Sequence, residues 1–378
     1  MPGGEHSQSL GLLAPAPVPR IAAAWLERPN SRKATPRDHG PLFLDKNENS
    51  DPQLHKWLMG LLQRIPGNAL STYPDLGPLY GLLADWLEVP VEQLVLTTGC
   101  DGAIQRTFEI FVEPGDIVLL TKPTFAMYPV YASAYGAKVD FLQYARSETG
   151  PKLELERVLA AIKNLRPRLF CLPNPDSPTG NLFSNAELHR IVEACGSVKT
   201  VLLIDEAYHP FSPVTAAPFV ALNPHVLVTR TFSKAWGLAG LRAGYIIGHP
   251  EIIEWFHKTR PMYEIGGFAN SYLTQALMEP TEMTASVARL AAGKALFSSA
   301  MTSLGFKVLP SGGNFQHVAF GQKSEKIHAA LRPHVLYRAD SNDECLRGYS
   351  RFSSTTPELF WPIIEVITTC LQSEGPST

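Results

Sequence analysis

One lysine of this chain stands where a simple surface lysine is not expected. Lys234 follows the apolar run 226–229, which predicts a buried strand, and it precedes a segment rich in glycine. An amine at the end of a core strand is partly desolvated, so it loses its charge more easily and can attack a carbonyl carbon. Lys234 considered alone is also compatible with an exposed loop. Its neighbours Ser233 and Arg242 favour a functional role for Lys234, because a hydroxyl and a guanidinium group can both bind a phosphate.

An amine that can form an imine beside a phosphate site suits pyridoxal phosphate (PLP). The run Thr-Phe-Ser-Lys at 231–234, followed by Gly-Leu-Ala-Gly-Leu-Arg-Ala-Gly-Tyr at 237–245, resembles fold-type I PLP enzymes. The closest resemblance is to the histidinol-phosphate aminotransferase-like branch of the class I and II aminotransferases, from about Leu44 to about Glu358. It implies an α/β protein of PLP-dependent transferase fold type I. Such a protein has a mostly parallel, seven-stranded sheet in a large domain beside a small α+β domain.

A second motif ends another predicted strand. The apolar run 201–204 predicts a strand buried on both faces, and Asp205 follows it. A buried carboxylate needs a partner, and a protonated pyridine nitrogen is one that Asp205 would keep protonated. A metal site or a helix cap is the alternative role. With Tyr208 placed to reach the O3′ oxygen of the cofactor, we predict that Lys234, Asp205 and Tyr208 are the catalytic residues.

A third predicted strand, at 94–97, leads through a glycine turn into a helix. The helix N-terminus suits a phosphate, although an ordinary turn capped by Asp101 is the alternative. The resemblance implies that Phe125 stacks on the pyridine ring. It also implies that Tyr73 reaches the phosphate of a neighbouring subunit, and hence a homodimer with shared sites. The predicted cofactor-binding residues are Gly99, Cys100, Asp101, Gly102, Phe125, Asn174, Asp205, Tyr208, Ser233, Lys234, Arg242 and Tyr73.

The turn at 174–180 departs from the Asn-Pro-Asn-Asn-Pro-Thr-Gly sequence that is usual in the family. Asp176 and Ser177 replace two asparagines. Because an ionised carboxylate cannot donate a hydrogen bond, the donor to the O3′ oxygen is left open among Asn174, Ser177 and a water molecule.

The resemblance also implies the substrate-binding residues. Arg351 matches the arginine that binds the α-carboxylate or phosphate of the substrate, and a planar guanidinium binds either group in bidentate fashion. Glu264 stands at a position that differs from the usual family sequence, as do Thr355, Asp176 and Ser177, and these changes indicate an unusual, cationic substrate side chain. The predicted substrate-binding residues are Arg351, Arg338, Asn47, Glu48 and Glu264.

Two reactions share this predicted machinery. The leading hypothesis is a PLP-dependent aminotransferase that acts on an amino acid or amine phosphate with an oxo-acid partner. The alternative is a PLP-dependent lyase or cyclase on a modified basic amino acid such as hydroxyarginine, acting by elimination, dehydration and ring closure, or decarboxylation. A non-catalytic binding module is disfavoured because Lys234 is present.

Composition limits the remaining function classes. The net charge of -2 in 378 residues predicts no nucleic-acid partner, and no apolar run approaches the length of a membrane span. Five scattered cysteines predict reduced thiols, no metal site and a cytoplasmic location, and the prolines at 15, 17 and 19 disfavour a signal peptide. We expect an N-terminal arm at 1–50, with a short helix at 21–26, that joins the small domain. The large domain is predicted at 51–260 and the small domain at 261–378.

Overall fold

The structure, a computed structural model, describes residues 41–372. The helix predicted at 21–26 and most of the predicted arm therefore lie outside the described residues. The strands are β1 (Leu42–Phe43), β2 (Leu94–Thr97), β3 (Ile117–Lys122), β4 (Lys138–Gln143), β5 (Leu169–Pro173), β6 (Val201–Asp205), β7 (Val226–Thr231), β8 (Gly244–Gly248), β9 (Lys307–Leu309), β10 (Phe315–Ala319), β11 (Val335–Leu336) and β12 (Ser350–Ser353).

Seven of these strands form the main sheet, in the order β2–β8–β7–β6–β5–β3–β4. Strand β8 runs antiparallel to both of its neighbours, and every other pair is parallel. The predicted mostly parallel, seven-stranded sheet is thereby confirmed. Strands β5 and β7 are buried along their whole length, which agrees with the continuous apolar runs expected of strands covered on both faces.

The parallel direction brings the carboxyl ends of six strands, all but β8, to one edge of the sheet. Strand β6 ends at Asp205, and β7 ends three residues before Lys234. Strand β2 ends just before the glycine turn at 98–99, and β3 and β5 end just before Phe125 and the turn at 174–180. Segments that are far apart in the sequence therefore meet at the edge where ligands bind in open α/β sheets.

Eleven helices cover the sheets in the described part of the chain. They are α1 (Pro52–Leu61), α2 (Gly77–Leu87), α3 (Gly99–Phe111), α4 (Met127–Ala134), α5 (Leu155–Leu165), α6 (Asn185–Val198), α7 (Pro250–Thr259), α8 (Gly267–Met278), α9 (Thr281–Ser303), α10 (Ser324–Leu331) and α11 (Pro357–Gln372). Two apolar clusters lie on the main sheet, one of which includes Phe170 and Leu202 and the other Phe108 and Leu203. Since Leu202 and Leu203 are successive residues of β6, these clusters lie on opposite faces of the sheet.

The remaining strands form two smaller sheets. Strands β12, β10 and β9 form an antiparallel sheet, and β1 pairs in parallel with β11. The long helical region predicted from 269 to about 304 is two helices, α8 and α9, because Glu279 leaves the helical conformation just before Pro280, which cannot continue a helix. Strand β12 was not predicted, since its residues 350–353 were assigned only as part of a binding segment.

The division into an arm at 1–50, a large domain at 51–260 and a small domain at 261–378 stays a prediction. Helix α8 lies beyond position 260, yet its side chains Tyr272 and Leu273 belong to the same apolar cluster as Phe170 of the main sheet. Between residues 41 and 372, no helix is both long enough and apolar enough to cross a membrane.

Candidate active site

A pocket of about 270 Å³ opens at the carboxyl edge of the main sheet. It is formed by the turns that follow β2, β3, β5, β6 and β7, together with the segment 46–48. Its lining residues are Lys46, Glu48, Cys100, Asp101, Phe125, Pro173, Pro175, Ser177, Asp205, Ala207, Tyr208, Thr231, Ser233, Lys234, Ala239 and Arg242. The structure therefore brings all three predicted catalytic residues, and most of the predicted cofactor-binding residues, into one cavity.

Lys234 is half-buried in this pocket. Its Nζ donates a hydrogen bond to the backbone oxygen of Lys46 at 2.7 Å and lies 5.9 Å from the centre of the Tyr208 ring. The amine is thus held by a single backbone carbonyl and by no carboxylate among the described residues. A lysine held in this way is free to form a covalent bond with a carbonyl group in the pocket.

Asp205 lies at the floor of the pocket and is 6 % exposed. Its carboxylate accepts hydrogen bonds from the hydroxyl of Tyr128 at 2.8 Å and from the backbone N–H of Ala207 at 3.0 Å. Burial raises the pKa of Asp205, and these hydrogen bonds lower it. None of the ion pairs formed within residues 41–372 includes Asp205. A cation bound in the pocket would therefore give this buried carboxylate a partner of opposite charge.

Tyr208 is nearly buried beside Asp205, and its hydroxyl accepts a hydrogen bond from the Asn47 amide at 2.8 Å. Asn47 itself is 2 % exposed and has a left-handed backbone, with φ of 57°. Its backbone N–H donates to the hydroxyl of Ser353, and its backbone oxygen accepts from Asn314. Asn47 therefore positions Tyr208 and does not line the pocket, whereas the adjacent Glu48 does.

Polar groups suited to a phosphate gather at one end of the pocket. The hydroxyl of Thr231 donates to the Ser233 hydroxyl at 2.9 Å, and the Arg242 side chain lies against the backbone of Gly99. A β-carbon at Gly99 would lie 3.3 Å from Arg242 Nη2, and φ at this glycine is +75°. Glycine is thus required at position 99 both by the turn and by the close approach of the arginine.

The first residues of helix α3 meet this end of the pocket. Cys100 and Asp101 line it, and the Asp101 carboxylate accepts a hydrogen bond from Tyr131 at 2.9 Å. Gly102 was predicted to bind the cofactor, but it lines a separate cavity of about 260 Å³. A β-carbon at Gly102 would collide with the side chain of Thr98, so this glycine permits packing at the start of the helix.

The proline-rich turn after β5 divides its polar residues between the pocket and the interior. Ser177 lines the pocket, but both ends of the Asn174 amide are bonded to the backbone of Phe183, at 2.8 and 3.1 Å. Asn174 was predicted to bind the cofactor, and the structure places it away from the pocket. Asp176 is fully buried and accepts hydrogen bonds from Thr179 and Thr121.

Phe125 is 43 % exposed on the pocket wall, where its ring can stack on a flat ligand. By contrast, Tyr73 is 81 % exposed, stacks on Tyr263 at 4.6 Å, and does not reach the pocket of its own chain. The structure thus places Phe125 in the pocket and Tyr73 outside it.

The predicted substrate arginines, Arg351 and Arg338, lie beside the pocket and do not line it. Both donate to the backbone oxygen of Asp45, at 3.0 and 3.2 Å. They line a cavity of about 340 Å³ that also contains Pro178. Ser177 lines the pocket and Pro178 lines this cavity, so the same turn contributes to both spaces.

Glu264 was predicted to meet a cationic substrate, and the structure does not support that role. Its carboxylate is 3 % exposed, accepts a hydrogen bond from Tyr80 at 2.8 Å and pairs with Arg260 at 3.4 Å. Glu264 lines the cavity of Gly102 and the groove of Tyr73, and it does not line the pocket of Lys234. Thr355, another altered position, is buried and bonds to Ser50 at 2.7 Å.

Sequence reasoning did not assign Thr231 and Lys46, two polar residues that line the pocket, and it did not find the contact between Tyr128 and Asp205. Thr231 belongs to the recognised Thr-Phe-Ser-Lys run, so its spacing of two from Ser233 was an available signal. Lys46 lies within the segment 44–49 that was already assigned to the site. The bond from Tyr128 to Asp205 joins residues 77 positions apart, and no local pattern indicates it.

Comparison with known proteins supports an enzyme built around this pocket. The profile of the family described as Aminotransferase class I and II matches residues 41–363. A histidinol-phosphate aminotransferase of Ruminiclostridium cellulolyticum is 31% identical over 323 residues, which are 83% of this chain and 88% of that protein. A histidinol-phosphate aminotransferase 2 of Bordetella bronchiseptica is 34% identical over 270 residues, or 69% of this chain and 72% of that protein.

Solved structures agree on the fold. Histidinol-phosphate aminotransferase from Sinorhizobium meliloti, in complex with pyridoxal-5'-phosphate, superposes with a TM-score of 0.80 at 21% identity and covers 97% of this chain and 100% of its own. L-threonine-O-3-phosphate decarboxylase from Porphyromonas gingivalis has a TM-score of 0.70 at 22% identity and covers 88% of this chain and 99% of its own. Because both reactions occur on this fold, the fold alone does not decide the reaction.

The family match covers most of the chain and confirms the predicted PLP-dependent aminotransferase, together with its cofactor. It favours that hypothesis over a lyase or cyclase. The chain belongs to the class I and II aminotransferase family.

Proposed function

We propose that this aminotransferase moves an amino group between an amino acid or amine phosphate and an oxo acid in the pocket of Lys234. The observation that carries the proposal is the meeting of Lys234 and Asp205 in one cavity, from the ends of adjacent strands. Bound there, PLP supplies an electrophilic carbon and an electron-withdrawing ring. Lys234 Nζ would hold the cofactor and would carry the α-proton of the substrate as a general base.

The lining residues fit PLP. Asp205 lacks a cationic partner within the described chain and would pair with the protonated ring nitrogen. Arg242, Ser233 and Thr231 would hold the phosphate at the N-terminus of helix α3, where the helix dipole favours an anion. Phe125 would cover one face of the ring, and Tyr208 and Ser177 are the hydroxyl donors that remain for the O3′ oxygen.

The substrate anion has a natural binding site in the arginines beside the pocket. Arg351 and Arg338 currently share one carbonyl acceptor, Asp45, which leaves most of their donor groups available. Burial lowers the pKa of Arg351, so a carboxylate or phosphate would relieve an otherwise costly buried charge. We assign Arg351 to the α-carboxylate or phosphate of the substrate, and Arg338 to the same anion.

Measuring where the amino group goes tests the function. The holoenzyme is incubated with a panel of amino acids and amine phosphates, with and without an oxo acid such as 2-oxoglutarate. A transaminase forms one new amino acid for each oxo acid that it consumes, and it releases no ammonia. Release of ammonia or carbon dioxide, with turnover that needs no oxo acid, would overturn the proposal in favour of a lyase.

We also propose a homodimer that shares its sites. Tyr73 and Leu70 are each at least 80 % exposed and line a groove that Arg242 also lines. A second copy covering this groove would bury their apolar surface and bring its Tyr73 to the phosphate end of the pocket.

Mixed variants test this arrangement. Tyr73→Phe and Lys234→Ala are each expected to be poorly active alone, and mixing them after dissociation should restore activity, because one hybrid site is then intact. Sedimentation measures the mass in parallel. A monomer without restored activity would exclude the shared site. A cytoplasmic location stays a prediction that subcellular fractionation checks.

A further inference from the structure

Asp205 accepts hydrogen bonds from three donors, of which Cys100 and Ala207 line the pocket and Tyr128 does not. Tyr128 donates to Oδ2 at 2.8 Å, Ala207 donates its N–H to Oδ1 at 3.0 Å, and the thiol of Cys100 also hydrogen-bonds to the carboxylate. All three donors are uncharged. The hydrogen bonds that stabilise the ionised carboxylate thus come from neutral groups, while burial opposes ionisation.

Tyr128 is well placed to act as a fixed donor. Its side chain is 0 % exposed and packs in the apolar cluster on one face of the main sheet. Burial, followed by the nearby carboxylate of Asp205, raises the pKa of Tyr128, so the proton stays on the phenol. The hydroxyl donates a hydrogen bond to Asp205, and among the described residues no other carboxylate accepts one from it.

The local sequence couples this donor to the pocket wall. Phe125 contributes its exposed ring to the wall. Tyr128, three residues later, lies in the first turn of helix α4, and its ring is edge to face with that of Phe125 at 6.1 Å. One short segment therefore supplies both the stacking surface and the donor under Asp205. A movement of the segment would change both contacts together.

We propose that Tyr128 is a positioning residue that, together with the thiol of Cys100, sets the proton affinity of Asp205. By favouring the ionised carboxylate, Tyr128 keeps the charge that a protonated ring nitrogen needs opposite it. This second step rests on the proposed function, whereas the effect on Asp205 itself requires no cofactor. Tyr128 touches neither cofactor nor substrate in this arrangement and acts through Asp205.

The experiment measures Asp205 directly in the apoprotein. The protein is prepared with isotope-labelled aspartate, the Asp205 carboxyl resonance is assigned by its loss in Asp205→Asn, and its pH titration is followed by NMR. Tyr128→Phe removes one hydroxyl and keeps the buried ring. We expect the pKa of Asp205 to rise by about one unit or more in this variant, because a donor to the charged form is lost.

Tyr131→Phe is the matched control. It removes a hydroxyl from the same helix, but that hydroxyl bonds to Asp101. The Asp205 titration should stay as in the parent protein in this control. An unchanged titration in Tyr128→Phe, or an equal rise in Tyr131→Phe, would overturn the inference. In the holoenzyme, kcat should fall about tenfold in Tyr128→Phe with little change in KM, as expected for a group that acts in the transition state.

A second replacement keeps the test decisive if Tyr128→Phe does not fold. Site-specific incorporation of difluorotyrosine at position 128 retains the ring and the hydroxyl but makes the phenol a stronger donor. The pKa of Asp205 should then fall, and no change would refute the role. Loss of PLP binding in the parent protein would contradict the proposed function but leave the Asp205 titration, and hence this inference, separately measurable.

Discussion

The buried carboxyl group of Asp176 makes a sharp prediction about stability. Asp176 is 0 % exposed beneath the turn that supplies Ser177 to the pocket, and its hydrogen bonds come from neutral donors, Thr179 and Thr121. Burial raises its pKa from 3.8 to about 7, an effect that the hydrogen bonds reduce but do not cancel. The folded state therefore holds a proton here over a pH range in which the unfolded chain releases it.

The direction in which stability changes with pH follows from this difference in proton binding. The stabilising contribution of the protonated group is complete below about pH 4 and is lost as the pH rises to about 7. With one pKa unit worth about 1.4 kcal/mol, a shift of about three units corresponds to a loss of about 4 kcal/mol in the free energy of unfolding. Asp176→Asn removes the ionisation and keeps an oxygen that can accept from Thr179.

Urea denaturation of the parent protein and Asp176→Asn, at several pH values, tests this reasoning. The stability of the variant relative to the parent should increase by about 4 kcal/mol between about pH 4 and about pH 8. Asp140→Asn, at an exposed carboxylate on strand β4, controls for the change in net charge. A relative stability that is independent of pH, or that falls as the pH rises, would refute the argument.

Three further predictions concern the site. After borohydride reduction, Lys234→Ala should carry no covalently attached cofactor, whereas the control Lys46→Ala should carry it, as mass spectrometry of the peptides can show. Attachment at another lysine would contradict the assignment. Arg351→Lys should lower kcat/KM for every carboxylate-bearing substrate by about tenfold or more, because an ammonium cannot reproduce the guanidinium fork, and parent-like values would speak against the assignment. Glu264→Gln loses the charge that faces Arg260 but keeps an oxygen that can accept from Tyr80, so it should lower the free energy of unfolding by no more than about 1 kcal/mol. It should affect neutral and basic substrates equally, because Glu264 does not line the pocket of Lys234. A selective loss with basic substrates would restore the cationic-substrate hypothesis.

Residues at the ends of strands were predictable because their signals are local. Apolar runs that stop at a polar residue indicate where a buried strand ends, and parallel strands bring such ends to one edge. Lys234, Asp205 and Ser233 each follow or end an apolar strand, and the structure places all three in the same pocket. Gly99 was similarly predictable, since the turn between β2 and α3 requires a positive φ.

Turn residues were harder to assign, because their side chains point according to contacts made elsewhere in the fold. Asn174 and Asp176 lie close to Ser177 in one turn, yet only Ser177 lines the pocket. Phe183 takes the hydrogen bonds of Asn174, and Thr121, from another strand, bonds to Asp176. Neither partner could be recognised from the turn sequence.

The sequence by itself determined the α/β class and the strand ends, and it predicted a lysine, an aspartate and a set of phosphate-binding groups suited to PLP. Periodicity and motif spacing suffice for these features because they depend on neighbours in the chain. Only the tertiary structure decided that Glu264 is bonded to Tyr80 outside the pocket, and that Tyr128 donates to Asp205 from beneath it. Such contacts join distant residues, and burial, which sets their strength and the resulting pKa values, exists only once the chain is packed.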